Sequence, residues 1–207
     1  MDKLIPIFPL KLVVFPNSKY PLHIFEERYK IMINECLNQK SGFGIVLETN
    51  GALSKVGCYV LIDEVTKTYE NGEIDIIVAG QHRFSVIEVQ KHFEGYHVAI
   101  VKEYNDASQE TNPDLISGTR NLLEEILEKL KFEPGEKFWN KFDSADTKSF
   151  KLAEKAGLSL KQQQDLLVQK NENERLNFLM NHFMNLKKRM DENSASKEII
   201  LGDGYIN

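Results

Sequence analysis

Four prolines in the first thirty residues, Pro6, Pro9, Pro16 and Pro21, punctuate short apolar runs, and a helical pattern starts immediately afterwards. Each proline fixes φ and removes one ladder donor. Proline in a sheet therefore belongs at an edge, a strand start or a bulge. A chain that spaces four of them this way specifies short, bent strands, here Ile5–Leu10 and Lys11–Phe15, with Pro21–Phe25 as an apolar strand leading into the first helix. Few folds accept such an opening.

Up to residue 104 strand signals alternate with turn signals. Glu26–Asn38 is the one helix pattern, with Tyr29, Ile33 and Cys36 on a shared face. Phe43–Glu48 follows as a strand. Val56–Thr68 is apolar on both faces until Asp63, which predicts a closed or sandwiched sheet. Asn71-Gly72 reads as a type I′ hairpin turn, where both residues take a positive φ. Ile74–Ala79 returns from it, and Gly80 marks a bulge or corner. Phe84–Val89 and Tyr96–Tyr104 complete six or seven strands around one inserted helix, a small mixed barrel.

Residues 105–112 are polar and aperiodic, a connector. Asn112 and Pro113 form a cap and first-turn pair that starts a helix with an apolar stripe through Leu123 and Leu130. Pro134-Gly135 breaks it. A second helix is expected at 146–156, and a third opens on the capping box Ser159-Leu-Lys-Gln162. A fourth follows from Asn171 and carries Leu176, Leu179 and Phe183. Short loops imply an antiparallel bundle over 113–190, and a tail at 191–207 that frays.

The segments IPIFPL, VVFPNSKYPLHIFEERYKIMINECL, FGIV, VGCYVLIDEV, GEIDIIVAGQHRFSVIEV and FKLAEKAGLSLKQQQDLLVQKNENERLNFLM resemble the N-terminal, substrate-binding domain of the Lon protease in its stand-alone form. The similarity covers roughly residues 4 to 190. Where relatives often carry glycine in the turn after FP, this chain has Asn17, which also tolerates left-handed geometry. The resemblance implies an α+β fold: a PUA-like β pseudo-barrel with one inserted helix over 1–104, then a helical bundle. It also implies a substrate-recognition role without catalysis, because Lon's ATPase and protease modules have no counterpart among these segments.

Bulk properties bound the partners. The net charge of −5 disfavours nucleic acid, whose phosphates call for a basic face. No apolar run approaches the ~20 residues of a membrane span, and the opening lacks a signal-peptide pattern, so the chain reads as cytoplasmic. Cys36 and Cys58 lie far apart with no CxxC spacing, which fits two buried free thiols.

No catalytic constellation emerges. Gly135-Glu136-Lys137 lacks the remainder of a phosphate loop. His92 and His97 have no third metal ligand beside them. The acidic pairs Glu26-Glu27, Glu124-Glu125 and Asp191-Glu192 suit solvated helix faces, with Glu124 and Glu128 pairing with Lys129 and Lys131. Arg83 suits a buried tie between the barrel and the first helix. Lys187-Lys188-Arg189 suits a helix C-terminus. No cofactor is expected.

The expected function is non-catalytic binding of exposed hydrophobic polypeptide segments, or an adaptor role in protein quality control beside a protease or chaperone. The candidate contacts are Leu22, Ile24 and Phe25 on the proline-bounded segment, with Phe138 and Trp139 in an aromatic cluster around the Pro134-Gly135 break. The rival reading is a PUA-like small-molecule or RNA-binding module.

Overall fold

A computed structural model describes residues 2–192. The chain divides into two compact units, Met1–Asn105 and Asp106–Asn207.

The first unit holds β1 (Lys3–Leu10), β2 (Lys19–Ile24), α1 (Glu27–Gln39), β3 (Phe43–Thr49), β4 (Ala52–Leu53), β5 (Val56–Thr68), β6 (Ile74–Lys91) and β7 (His97–Glu103). Five strands close on themselves. β1 runs parallel to β3 and antiparallel to β7, while β3–β5, β5–β6 and β6–β7 are antiparallel. The two-sided apolar pattern follows from this closure. Alternate side chains enter two different cores, Ile7 joining Val46, Phe84, Ala99 and Val101 in the barrel interior. Phe8 joins Tyr29, Met32, Ile33, Phe43 and Ile76 in the larger core under α1. Burying each such side chain contributes about 1.5–3 kcal/mol. The interior is narrow. A Cβ added at Gly44 would lie 2.5 Å from the Phe84 ring, and one at Gly57 would lie 2.7 Å from it.

Three local expectations are corrected. Lys11–Phe15 is not a strand. It is a loop that buries Val13, Val14 and Phe15, so its apolar residues serve packing without a ladder. Asn71-Gly72 is not a type I′ turn, since only Gly72 of the pair takes a positive φ, 80°. The Gly72 amide donates to the Tyr69 carbonyl at 2.9 Å and the Tyr69 amide to the Glu73 carbonyl at 2.9 Å, the longer loop with glycine in the left-handed position. The pair that does take two positive φ values is Asn50-Gly51, at 53° and 77°, joining β3 to the short β4. Phe84–Val89 and Ile74–Ala79 are one strand, β6, interrupted where Tyr59 faces His82 and Val60 faces Gly80.

The second unit holds α2 (Pro113–Lys129), α3 (Glu136–Ser144), α4 (Lys148–Ala153), α5 (Leu160–Val168) and α6 (Glu172–Glu192). Asn112 caps α2 by accepting from the Asp114 amide at 2.9 Å, and Ser159 and Gln162 form the capping box of α5. The segment 105–112 has no helix or strand, yet it is tied down: the Ala107 amide donates to the Lys170 carbonyl and the Asn112 amide to Asn173.

Several expectations change here. The helix expected at 146–156 spans only Lys148–Ala153, and α3 was not anticipated. The long helices α2 and α6 run parallel, not antiparallel: Thr119 reaches Leu176 near their starts, Glu125 pairs with Lys187 further on, and Lys129 pairs with Asp191 at their ends. The extra helix supplies the return that a four-helix antiparallel order lacks. Likewise Glu124 pairs with Arg120, not with Lys129. Asp191 and Glu192 belong to α6, and the rest of the expected tail lies outside the described residues.

Buried at the centre of this unit is Arg175. Its Nε donates to Ser149 at 2.9 Å, its Nη1 to Asp106 and to the Gln169 carbonyl at 2.8 Å each, and its Nη2 to Glu172 at 2.8 Å. Its guanidinium carbon also lies 4.6 Å from the Phe150 ring centroid. Burial opposes its charge, and Asp106 and Glu172 outweigh that, so the group stays cationic.

Candidate polypeptide-binding surface

β6 is long enough to pair different neighbours along its two halves. Its second half lies between β5 and β7 in the barrel, and its first half, Ile74–Ala79, lies between β2 and the far end of β5. Gly80 sets the division. The Gly80 amide donates to the Ser18 carbonyl and the Gly80 carbonyl accepts from the Asn17 amide, each at 2.9 Å. Asn17 takes the left-handed φ of 62° that this crossing needs. A Cβ at Gly80 would collide with the Phe15 carbonyl. The proline-punctuated loop is thereby laid across β6, and β2 emerges as an edge strand.

The outcome is a three-stranded arm, β2–β6–β5. Register puts Lys19, Ala79 and Leu61 in one row, Pro21, Ile77 and Glu64 in the next, and His23, Asp75 and Lys67 in a third. These rows face outward, as the alternate burial of β2 and β6 requires. The third row is a polar knot. His23 Nδ1 lies 2.6 Å from Asp75, and the Tyr69 hydroxyl donates to Asp75 at 2.8 Å. The hydrogen bonds from His23 and then Tyr69 hold the Asp75 carboxyl below its usual range. Phe25 stacks on His23 at 5.9 Å.

Among the described residues no strand pairs the outer side of β2, or the side of β5 away from β6 beyond Val60. The two edges differ. β2 carries Pro21 at its centre, which offers no N–H outward and blunts the edge. β5 has bulges between Ile62 and Glu64 and between Val65 and Lys67, but it has a wall beside it. Cys36, Leu37, Lys40 and Ser41 at the end of α1 face Leu61 and Ile62 across a cleft of about 270 Å³. Leu37, Leu61 and Val65 are 37%, 38% and 41% exposed. The Cys36 thiol below is buried, which raises its pKa.

The sequence-selected residues fall unevenly on this surface. Ile24 is 1% exposed and faces the core, since β2 alternates and the even positions point at α1. Leu22 also faces inward and is partly buried. Phe25 alone of the three stands out, at 60% exposure. In the helical unit Phe138 is buried, and Trp139 is half-buried between Phe138 and Phe142 with the Arg120 guanidinium carbon 4.7 Å from its ring. These rings have partners of their own within the unit. The sequence did not single out Leu37, Leu61 or Val65; of the three only Leu61 carried a signal, in the apolar run Val60–Ile62 continuing past the last residue that β3 pairs.

A second concavity, about 130 Å³, lies at the barrel mouth among Lys3, Tyr59, His82, Phe84 and Glu103. His82 stacks on Tyr59 at 5.1 Å, and burial lowers its pKa. Among the described residues no three His, Cys, Asp or Glu side chains are grouped to hold a metal ion. No described helix is long and apolar enough to cross a membrane.

Comparison with known proteins agrees with this geometry. A solved structure described as the Lon N-terminal domain protein from Xanthomonas campestris is similar at 27% identity and a TM-score of 0.68, over 86% of this chain and 98% of that one. The N-terminal domain of the Mycobacterium avium complex Lon protease shares the fold, with a TM-score of 0.66 at 16% identity over 88% of this chain and 99% of that one. The family model for the ATP-dependent protease La (LON) substrate-binding domain matches residues 4–185, nearly the whole of the barrel and the bundle together. The chain therefore belongs to the Lon substrate-binding domain family.

Proposed function

We propose that this protein is a non-catalytic binding module for exposed hydrophobic segments of unfolded polypeptides, acting as an adaptor in protein quality control. One observation carries the reading: the β2–β6–β5 arm has strand edges without a paired strand among the described residues, beside exposed apolar side chains at Leu37, Leu61, Val65 and Phe25. Strand addition supplies sequence-independent main-chain bonds, and apolar clefts beside the edge select side chains. A module that must accept many unfolded clients needs that combination. Family membership supports it, since the matched family is a substrate-binding domain.

The experiment is titration of fluorescein-labelled unfolded casein into the purified chain, with the folded, unlabelled protein of another family as a competitor control. Saturable binding that unlabelled unfolded casein displaces is expected. No binding at high protein concentration would remove the reading. A small-molecule role has one observation in its favour, the barrel-mouth cavity with Lys3, His82 and Glu103 around the Phe84 ring. Loss of casein binding on Leu61→Asp, with none on His82→Ala, separates the two sites.

A further inference from the structure

We propose that the cleft between α1 and the free stretch of β5 selects extended client segments in which apolar residues alternate with lysine or arginine. This rests on the polypeptide-binding reading above and names the chemistry of its clients.

Successive side chains of an extended peptide point to opposite faces. A peptide laid along β5 beyond Val60 therefore presents one set of side chains inward and the other outward. The inward set meets Ile62 and Val65, which face the same side of the arm as Val78 and Ile76, with Leu37 of α1 closing the cleft. That side accepts aliphatic or aromatic groups, and the volume suits one large side chain at a time. The two bulges limit the ladder itself, so side chains carry more of the recognition than an unbroken edge would allow.

The outward set meets charge. Residues 19–25 and 61–75 hold Asp63, Glu64, Glu70, Glu73 and Asp75 against Lys19 and Lys67, a net of −3 of the chain's −5. Asp63 is paired with Lys19, and Asp75 and Glu73 with His23. Glu64 and Glu70 have no ion-pair partner among the described residues. Glu64 stands in the outward row next to the free edge, directly opposite the position an added strand would occupy. Opposite charges across adjacent strands stabilise the pair and like charges destabilise it. Lys40 is the one cation lining the cleft. It sits at the α1 end, and Lys67 stands in the next outward row of β5, so the preference for basic residues belongs at the Glu64 position between them.

The test uses two labelled peptides with the same alternating Leu and Phe positions, one with Lys between them and one with Glu, read by fluorescence anisotropy beside labelled casein. The lysine peptide should bind about threefold more tightly at low salt, the effect of one cross-strand charge pair at Glu64, and the gap should close as salt screens it. Glu64→Lys should shrink or reverse that ratio, while Val65→Ser should weaken both peptides alike. Both positions are exposed, and circular dichroism confirms that the variants fold. Equal affinity for the two peptides, or a ratio that Glu64→Lys leaves unchanged, overturns the inference while casein binding keeps the broader reading. Failure of casein and both peptides to bind removes both.

Discussion

Replacing Arg175 with methionine should cost the helical unit most of its stability. The side chain is fully buried and satisfies Ser149, Glu172, Asp106 and the Gln169 carbonyl together. Methionine fills much of the volume and supplies none of these donors. The Glu172 carboxylate, only 11% exposed, then loses its cation. Removing one partner of a buried ion pair typically costs about 3–5 kcal/mol. Asp106 is a third exposed, and water can take over part of its loss, which favours the lower end. Against a urea dependence of about 1–3 kcal/mol/M, the midpoint should fall by roughly 2 M. Trp139 is the only tryptophan of the chain and lies in α3, so its fluorescence reports on this unit. A midpoint within ~0.3 M of the unchanged protein would refute the claim that this network holds the bundle together.

Gly44→Ala should destabilise the barrel by about 1–3 kcal/mol through overpacking, because the new methyl meets the rigid Phe84 ring and Ile7. In a double-mutant cycle Phe84→Leu should offset part of that loss, and strict additivity would contradict the proposed clash. His182 is the sole histidine after residue 97, and burial, opposed by its bond to the Ala156 carbonyl, lowers its pKa from 6.5. The neutral ring is thus the form the fold favours. Stability of the helical unit should be complete above pH 6.5 and decline as pH falls below it; His182→Gln should flatten that decline in urea midpoints read through Trp139, and an unchanged slope would count against it. Both thiols are buried, and burial pushes Cys58 up to about 12. A thiol reagent at pH 8 should therefore label neither promptly until urea is added, an expectation that rapid stoichiometric labelling of the folded chain would overturn.

What the sequence reveals follows the range of the forces involved. Caps are local, and Asn112 and the Ser159–Gln162 box could be read directly because each satisfies donors within three residues, while Pro113 removes one. The two-sided apolar pattern of β5 announced closure for the same reason. The two Asn-Gly pairs are identical as dipeptides, and which becomes the tight turn depends on the flanking register: Thr49 faces Ala52 directly across Asn50-Gly51, whereas Tyr69 and Glu73 flank a three-residue loop around the other. The helix α3 was hidden by the Pro134-Gly135 break and by aromatic residues that read as a cluster. The direction of α6 against α2 depended on it. Arg175 occupies a position on the apolar stripe of α6 beside Leu176 and Leu179, and that misplaced charge was the available sign of a buried network. The candidate surface was the least legible part. An edge is defined by the strand that does not pair with it, and that is a property of the whole sheet. Phe25 was picked out by type, while Leu61 fell within the two-sided apolar run of β5 that ends at Asp63.

Amide hydrogen exchange across β5 and α1, with and without saturating unfolded casein, tests the central claim most directly. The account predicts slowed exchange over Leu61–Thr68 and at Leu37–Ser41, with little change in the bundle helices. Binding that leaves those two stretches unaltered, and protects another surface instead, would contradict it.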